Sequence, residues 1–381
     1  MSQSTYTKDN SFIGLSGVNH DISVILRRVR DLSVCLDAMD LDAHRLQILR
    51  RACDNLLDVD GKGADGFWLR PHIIEELRRI TDDELPRYLF YRFRYDVFPA
   101  KKEIDTLPPC VQIEPTSVCN YRCVFCYQTD PKLQDRKAGH KGRMELDMFR
   151  QVVDQIEGEV EAVTLASRGE PLLCKDIVGM LEYISGKFLG LKINTNAWYL
   201  DEQKAHALLA SGANTIVFSA DAADDELYAK LRVNGRLERV LKNVRMFADI
   251  RAKHYPEART ITRVSGVKFS DQQDFATIEE FWKDYVDQVA FVDYNPWVSV
   301  YDAEATGVTD ACSDLWRRTF VWWDGRVNPC DVDYLSSLAV GNITETSLSD
   351  IWTGEAYAHL RGQHLQGERS GHVPCRNCSL V

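Results

Sequence analysis

Apolar positions along the chain switch repeatedly between two periods. Short runs rich in β-branched residues occur at Val111 to Pro115, Glu161 to Ala166, Leu191 to Asn194, Thr215 to Phe218, Ile261 to Val267 and Val289 to Val292. Each reads as a strand. Between them apolar residues fall at helical spacing, as in Met148, Phe149, Val152, Val153 and Ile156. The spacing predicts helices over Met144 to Ile156, Ile177 to Ile184, Asp201 to Ser211, Asp224 to Arg232, Leu237 to His254 and Thr277 to Asp287. Gly212 closes the third of these. Strands alternating with helices predict right-handed crossovers, a parallel sheet and an α/β fold.

Both flanks differ from this middle. Residues 1–105 read as helical, with Leu26 to Met39, Leu41 to Leu57, Pro71 to Ile80 and Asp83 to Phe93 as the elements. Leu46, Leu49 and Cys53 recur at helical spacing there, which predicts a packed helical unit, and a lid over an open barrel is its expected role. Past residue 300, Asp324-Gly325 is a tight-turn signal between β-prone runs and predicts a hairpin with Cys330 just beyond it. The expected organisation is 1–105, 106–300 and 301–381.

Composition narrows the function classes. A chain of 381 residues has room for two or three domains. Its formal net charge of -11 disfavours nonspecific nucleic-acid binding. Eleven cysteines with no secretory signal and no long apolar run predict a reducing cytoplasm and no membrane association.

The chemistry is most concentrated at Cys119, Cys123 and Cys126, a CxxxCxxC run. Iron-sulfur clusters usually take four Cys ligands, so three thiolates would leave one iron of a [4Fe-4S] cube open. Most of a zinc site is the alternative, with His140 the nearest histidine. The spacing, with Phe125 before the third Cys, resembles the signature of the radical S-adenosylmethionine (SAM) superfamily. That resemblance implies a partial (β/α)6 barrel with functional groups at the C-terminal strand ends. It implies a [4Fe-4S] cluster whose open iron chelates SAM and, when reduced, cleaves it to methionine and a 5′-deoxyadenosyl radical. It also implies an external electron donor such as flavodoxin or ferredoxin.

Further motifs follow at the expected strand ends. Ser167-Arg168-Gly169-Glu170-Pro171 resembles the family's GGEP, with Arg168 in place of the first Gly, and implies that Gly169 and Glu170 bind the SAM amino group. An ammonium needs such a charge-assisted acceptor. Glu170 in an ordinary strand-to-helix turn is the alternative. Asn194-Thr195-Asn196-Ala197 resembles a TNG-type turn, with Ala197 for Gly. Ser219 and Asp221 resemble an S-x-D that approaches SAM, and Arg232 a residue that reaches the SAM carboxylate. Arg263 and Ser265, in the fifth strand, would complete a polar ring.

A second constellation comprises Cys312, Cys330, Cys375 and Cys378, enough to fill one cluster. With Gly341-Asn342-Ile343 and Ile351-Trp352 it resembles the SPASM and twitch extensions of radical SAM enzymes. A full SPASM domain has seven Cys and two auxiliary clusters, so four imply one auxiliary [4Fe-4S] cluster. A zinc ribbon is the alternative. Cys35, Cys53, Cys110 and Cys174 have no ligand spacing and are expected to be buried thiols.

Four thiolates leave no open iron, so the auxiliary cluster is expected to accept an electron. That implies net oxidation of a small-molecule substrate, a sugar, cyclitol or sugar nucleotide. Peptide modification, redox-neutral epimerisation or elimination, and a non-catalytic metal-binding module are the alternatives. The absence of a predicted β-hairpin in the N-terminal region argues mildly against a peptide. Asp293, Tyr294, Asp331 and Asp333 are the candidate bases.

Overall fold

A computed structural model describes residues 22–58, 63–295 and 300–381. Six parallel strands form the barrel: β1 (Cys110–Ile113), β2 (Ala162–Leu165), β3 (Gly190–Thr195), β4 (Thr215–Ser219), β5 (Ile261–Lys268) and β6 (Gln288–Asp293). Each is paired in register with the next, Val163 lying against Leu191 and Ile216 against Thr262. Helices Ile177–Ile184 and Leu237–His254 fall where the periodicity puts them, to the residue. Their apolar stripes pack on the outer face of the sheet around Val163, Ile193 and Ile216, all fully buried. In β3 exposure alternates, so Gly190, Lys192 and Asn194 face the barrel interior while Leu191 and Ile193 face the helices.

The C-terminal segment continues this sheet. Strand β7 (Arg318–Val321) runs parallel to β1, with Cys110 opposite Arg318 and Ile113 opposite Val321. Strands β8 (Arg326–Asn328) and β9 (Gly341–Asn342) follow antiparallel, giving the order β9-β8-β7-β1-β2-β3-β4-β5-β6. Gly325, at φ 79, makes the predicted turn between β7 and β8.

The N-terminal helices are α1 (Ser23–Cys35), α2 (Ala43–Leu57), α3 (Pro71–Arg79) and α4 (Leu85–Lys101). They bury a core of their own around Val29, Leu49, Ile73 and Phe93. Helix α4 runs two turns past its expected end, Pro99 falling in its last turn and Lys102 closing it in the left-handed region at φ 60. The expected lid sits at the opposite end of the barrel. Arg87 holds Glu161 at the start of β2, Arg259 before β5 pairs with Glu84, Gln288 at the start of β6 reaches Glu75, and Arg318 at the start of β7 donates to the Tyr95 hydroxyl. All these partners lie at N-terminal strand ends, so the helices seal the floor. Cys53, Cys110 and Cys174 are buried as expected. Cys35 is exposed instead, because it ends α1 on the outer side of the bundle. Among the described residues no helix is long and apolar enough to cross a membrane.

Candidate active site

Beyond β1 the chain climbs through Glu114 to Val118 and turns into the cysteine loop. Two contacts fix that loop. Arg122–Cys123 forms a short antiparallel pair with Arg232–Val233, placing Cys123 opposite Arg232, and the Glu170 N–H donates to the Val118 carbonyl at 2.9 Å. Phe125 is buried, with the Phe269 ring on one side and the Arg232 guanidinium 5.6 Å from its centroid.

Cys119, Cys123 and Cys126 open into a cavity of about 540 Å³ that runs the length of the barrel. Its rim includes Phe125, Gly169, Glu170, Asn194, Asn196, Ser219 and Arg232, and deeper lie Ser265 and Arg263. Nine of the ten expected SAM-site residues therefore line one space. Asp221 does not. It is fully buried, where it pairs with Arg232 and accepts the Val267 N–H at 2.6 Å. Its place is to hold Arg232 against Cys123, whose sulfur lies 3.8 Å from the guanidinium.

Glu170 is more committed than its motif suggests. Its carboxylate accepts from Leu172 N–H at 3.0 Å, the Thr195 hydroxyl at 2.6 Å and Asn196 N–H at 2.7 Å. It thus welds the ends of β2 and β3 together, with burial pushing its pKa up against these donors. Thr195 was not legible as a site residue, since its role exists only because β3 lies beside β2. Gly169 is required for a different reason. A Cβ there would overlap the Thr116 carbonyl oxygen and stand 2.6 Å from that of Val118. Gly169→Ala is expected to displace this turn and weaken SAM binding at least about tenfold, or about 1.4 kcal/mol, by equilibrium dialysis. Ala197, standing where the resembling motif has Gly, does adopt the left-handed region at φ 58.

Arg168, the departure from the motif, is buried. It forms a double contact with Glu114 at 2.6 and 2.8 Å, donates to the Tyr334 carbonyl at 3.0 Å and lies 4.3 Å over the Trp322 ring. It ties the rim of β1 to the C-terminal segment. Lys141, also unforeseen, donates to Ser117 O and Gln128 Oε1, and burial together with Arg122 and Arg168 brings its pKa down to about 8.

Cys312, Cys330, Cys375 and Cys378 share a second, small cavity walled by Leu315, Val332, Leu360 and Leu380. Arg369 wires its C-terminal loop, donating to the carbonyls of Cys375, Cys378, Leu380 and Asp310. The thiols of both sets suit iron-sulfur ligation. Cys119 Sγ accepts from Tyr121 N–H, Cys330 Sγ from Val332 N–H and Cys378 Sγ from Leu380 N–H, at 3.3–3.4 Å, each from two residues on. Such peptide donors stabilise a ligated thiolate. Burial pushes the Cys119 thiol up to about 12 and that of Cys312 to about 11. They are therefore inert without metal, and iron would have to take the place of the proton.

A radical SAM superfamily model matches residues 113–281, and a SPASM model, an iron-sulfur cluster-binding domain, matches residues 312–379. The chain belongs to the radical SAM superfamily and ends in a SPASM domain. It is a radical SAM enzyme, with SAM, a SAM-binding [4Fe-4S] cluster and an auxiliary cluster as its cofactors. It is 22% identical to the tungsten-containing aldehyde ferredoxin oxidoreductase cofactor-modifying protein of Pyrococcus furiosus, over 70% of this chain and 86% of that one. It is 24% identical to the S-adenosyl-L-methionine-dependent 2-deoxy-scyllo-inosamine dehydrogenase of Niallia circulans, over 73% and 95%. Among solved structures, Streptococcus suis SuiB bound to S-adenosylmethionine shares the fold, with TM-score 0.53 and 17% identity over 85% of this chain and 84% of that one.

Of the four candidate bases, the structure brings one to the main cavity. Asp331 lines it. Asp333 is buried with its carboxylate saturated by Tyr301, Ser337 and Leu338. Asp293 is exposed and paired with Lys268, and Tyr294 packs edge-on against Phe269 outside the cavity.

Proposed function

We propose that this enzyme carries out a net two-electron oxidation of a small polar molecule, a sugar, cyclitol or sugar nucleotide. One observation carries the reading. Asp331 lines the substrate-sized cavity while its chain neighbour Cys330 lines the auxiliary thiol cavity, so a single residue step joins the two. When bound, SAM with its cluster supplies a hydrogen-atom acceptor, and the auxiliary cluster an electron acceptor.

The residues of the chain suit the remainder. Cys119, Cys123 and Cys126 would hold the first cluster, and Cys312, Cys330, Cys375 and Cys378 the second. Converting a carbinol to a carbonyl removes one hydrogen atom, one proton and one electron. Asp331 is placed to take the hydroxyl proton. Gln112, Thr164, Lys192 and Asn194 present hydrogen-bonding groups from alternate positions of three strands. The sealed floor supports a small molecule over a threaded chain. The relative named as a cyclitol-amine dehydrogenase supports the reaction class.

Reconstituted enzyme, dithionite and SAM should be offered deuterated sugars, cyclitols and sugar nucleotides. The expected result is deuterium in 5′-deoxyadenosine and a product lacking two hydrogens. A product of unchanged mass would reject oxidation. Glu170→Gln should retain the cluster yet weaken SAM binding about ten- to hundred-fold. A hydrogen bond to a charged group contributes roughly 1.5–3 kcal/mol, and Gln would oppose an N–H₂ to the peptide donors of Leu172 or Asn196.

A further inference from the structure

His364 stands in the auxiliary cavity and belongs to neither cysteine motif. It lies in the helix Glu355–Leu365, is 2% exposed, and lines the space shared by the four thiols. Its Nδ1 accepts the backbone N–H of Cys312 at 3.2 Å. An imidazole that accepts at one nitrogen carries its hydrogen on the other. Nε2 is therefore an N–H donor. That atom is buried and has no hydrogen-bond partner among the described protein groups.

Leaving a buried donor unmet is costly, so a partner is to be expected in the cavity. Little else there can accept. Leu315, Val332, Leu360, Pro374 and Leu380 are apolar walls, and Arg369 is a donor already committed to four carbonyls. Among the side chains that line the cavity, the remaining acceptors are sulfurs. We propose that His364 Nε2–H donates a hydrogen bond to a sulfur of the auxiliary cluster, and so acts as a positioning residue that raises the cluster's reduction potential. Reduction adds negative charge to the sulfurs, and a fixed donor stabilises the reduced form more than the oxidised one. His364 is not an iron ligand. With Nδ1 already accepting, ligation through Nε2 would demand an imidazolate anion in an apolar cavity.

The inference rests on assigning the four thiols to the auxiliary cluster. The test is an EPR-monitored redox titration of the full-length reconstituted enzyme, in which added SAM shifts only the signal of the first cluster and so separates the two. His364→Phe keeps the ring and removes the donor. With iron content unchanged, its auxiliary potential should fall by about 59 mV, a tenfold change in a one-electron equilibrium. His364→Gln, which retains an N–H, should recover part of that shift. An unchanged potential in iron-replete His364→Phe overturns the proposal. If that variant loses the cluster, the parent enzyme decides. Nitrogen-15 histidine labelling should give a weak hyperfine coupling to the reduced auxiliary cluster, whereas a ligand-sized coupling or none overturns the hydrogen bond. A single EPR-active cluster with half the iron overturns the cluster assignment and the proposal with it, while leaving SAM cleavage intact.

Discussion

Enzyme in which Cys119, Cys123 and Cys126 are all replaced by Ala should produce no 5′-deoxyadenosine and should retain about half the parental iron. The three thiols share one loop at the head of the barrel cavity, and the second set of four lies in a separate cavity. Loss of the first set should therefore leave the second cluster loaded. The loop keeps anchors that do not involve the sulfurs, since Glu170 N–H binds Val118 O, Val124 N–H binds Leu231 O and Arg122–Cys123 pairs with Arg232–Val233. The variant should accordingly fold, with parental circular dichroism. Full iron content in that protein would remove the triplet from the SAM-binding cluster.

Arg168→Leu should destabilise the enzyme by about 3–5 kcal/mol in chemical denaturation. The side chains of Arg168 and Glu114 are 2% and 0% exposed, so removing the guanidinium strands a buried carboxylate. It also frees the Tyr334 carbonyl and the face of Trp322. Replacing both partners with apolar residues should recover most of that loss, because the cost lies in the unpaired charge. The two substitutions share partners and should be strongly non-additive in a double-mutant cycle. Additive losses would mean that the pair is not coupled. The geometry accounts for a Gly-to-Arg departure that the motif alone leaves unexplained: the position faces the C-terminal segment, and here it is used to clamp that segment to the barrel.

Much of the site was readable because ligand spacing and strand periodicity are local properties. Cys119, Cys123 and Cys126 must emerge from one loop at that spacing, and Arg263 and Ser265 must share a face two residues apart in a strand. The misplacements have a common cause. Asp331 and Asp333 are two residues apart and chemically identical in sequence. One lines the cavity, and the other is consumed by a hydroxyl pair and two peptide N–H groups. Asp221 likewise sits in a motif that suggests ligand contact, yet its carboxylate is spent on Arg232 and Val267.

By itself the sequence determined the alternation of strands and helices and the loop that carries Cys119, Cys123 and Cys126. Each follows from backbone period and covalent spacing, which act over a few residues. Only the tertiary structure decided that α3 and α4 close the barrel floor, that β7 joins the sheet beside β1, and that His364 enters the auxiliary cavity. Those outcomes depend on pairings between residues more than 50 apart, such as Gln288 with Glu75 and Cys312 with His364. An amphipathic helix records that one face is buried. It does not record which end of a distant sheet will cover it.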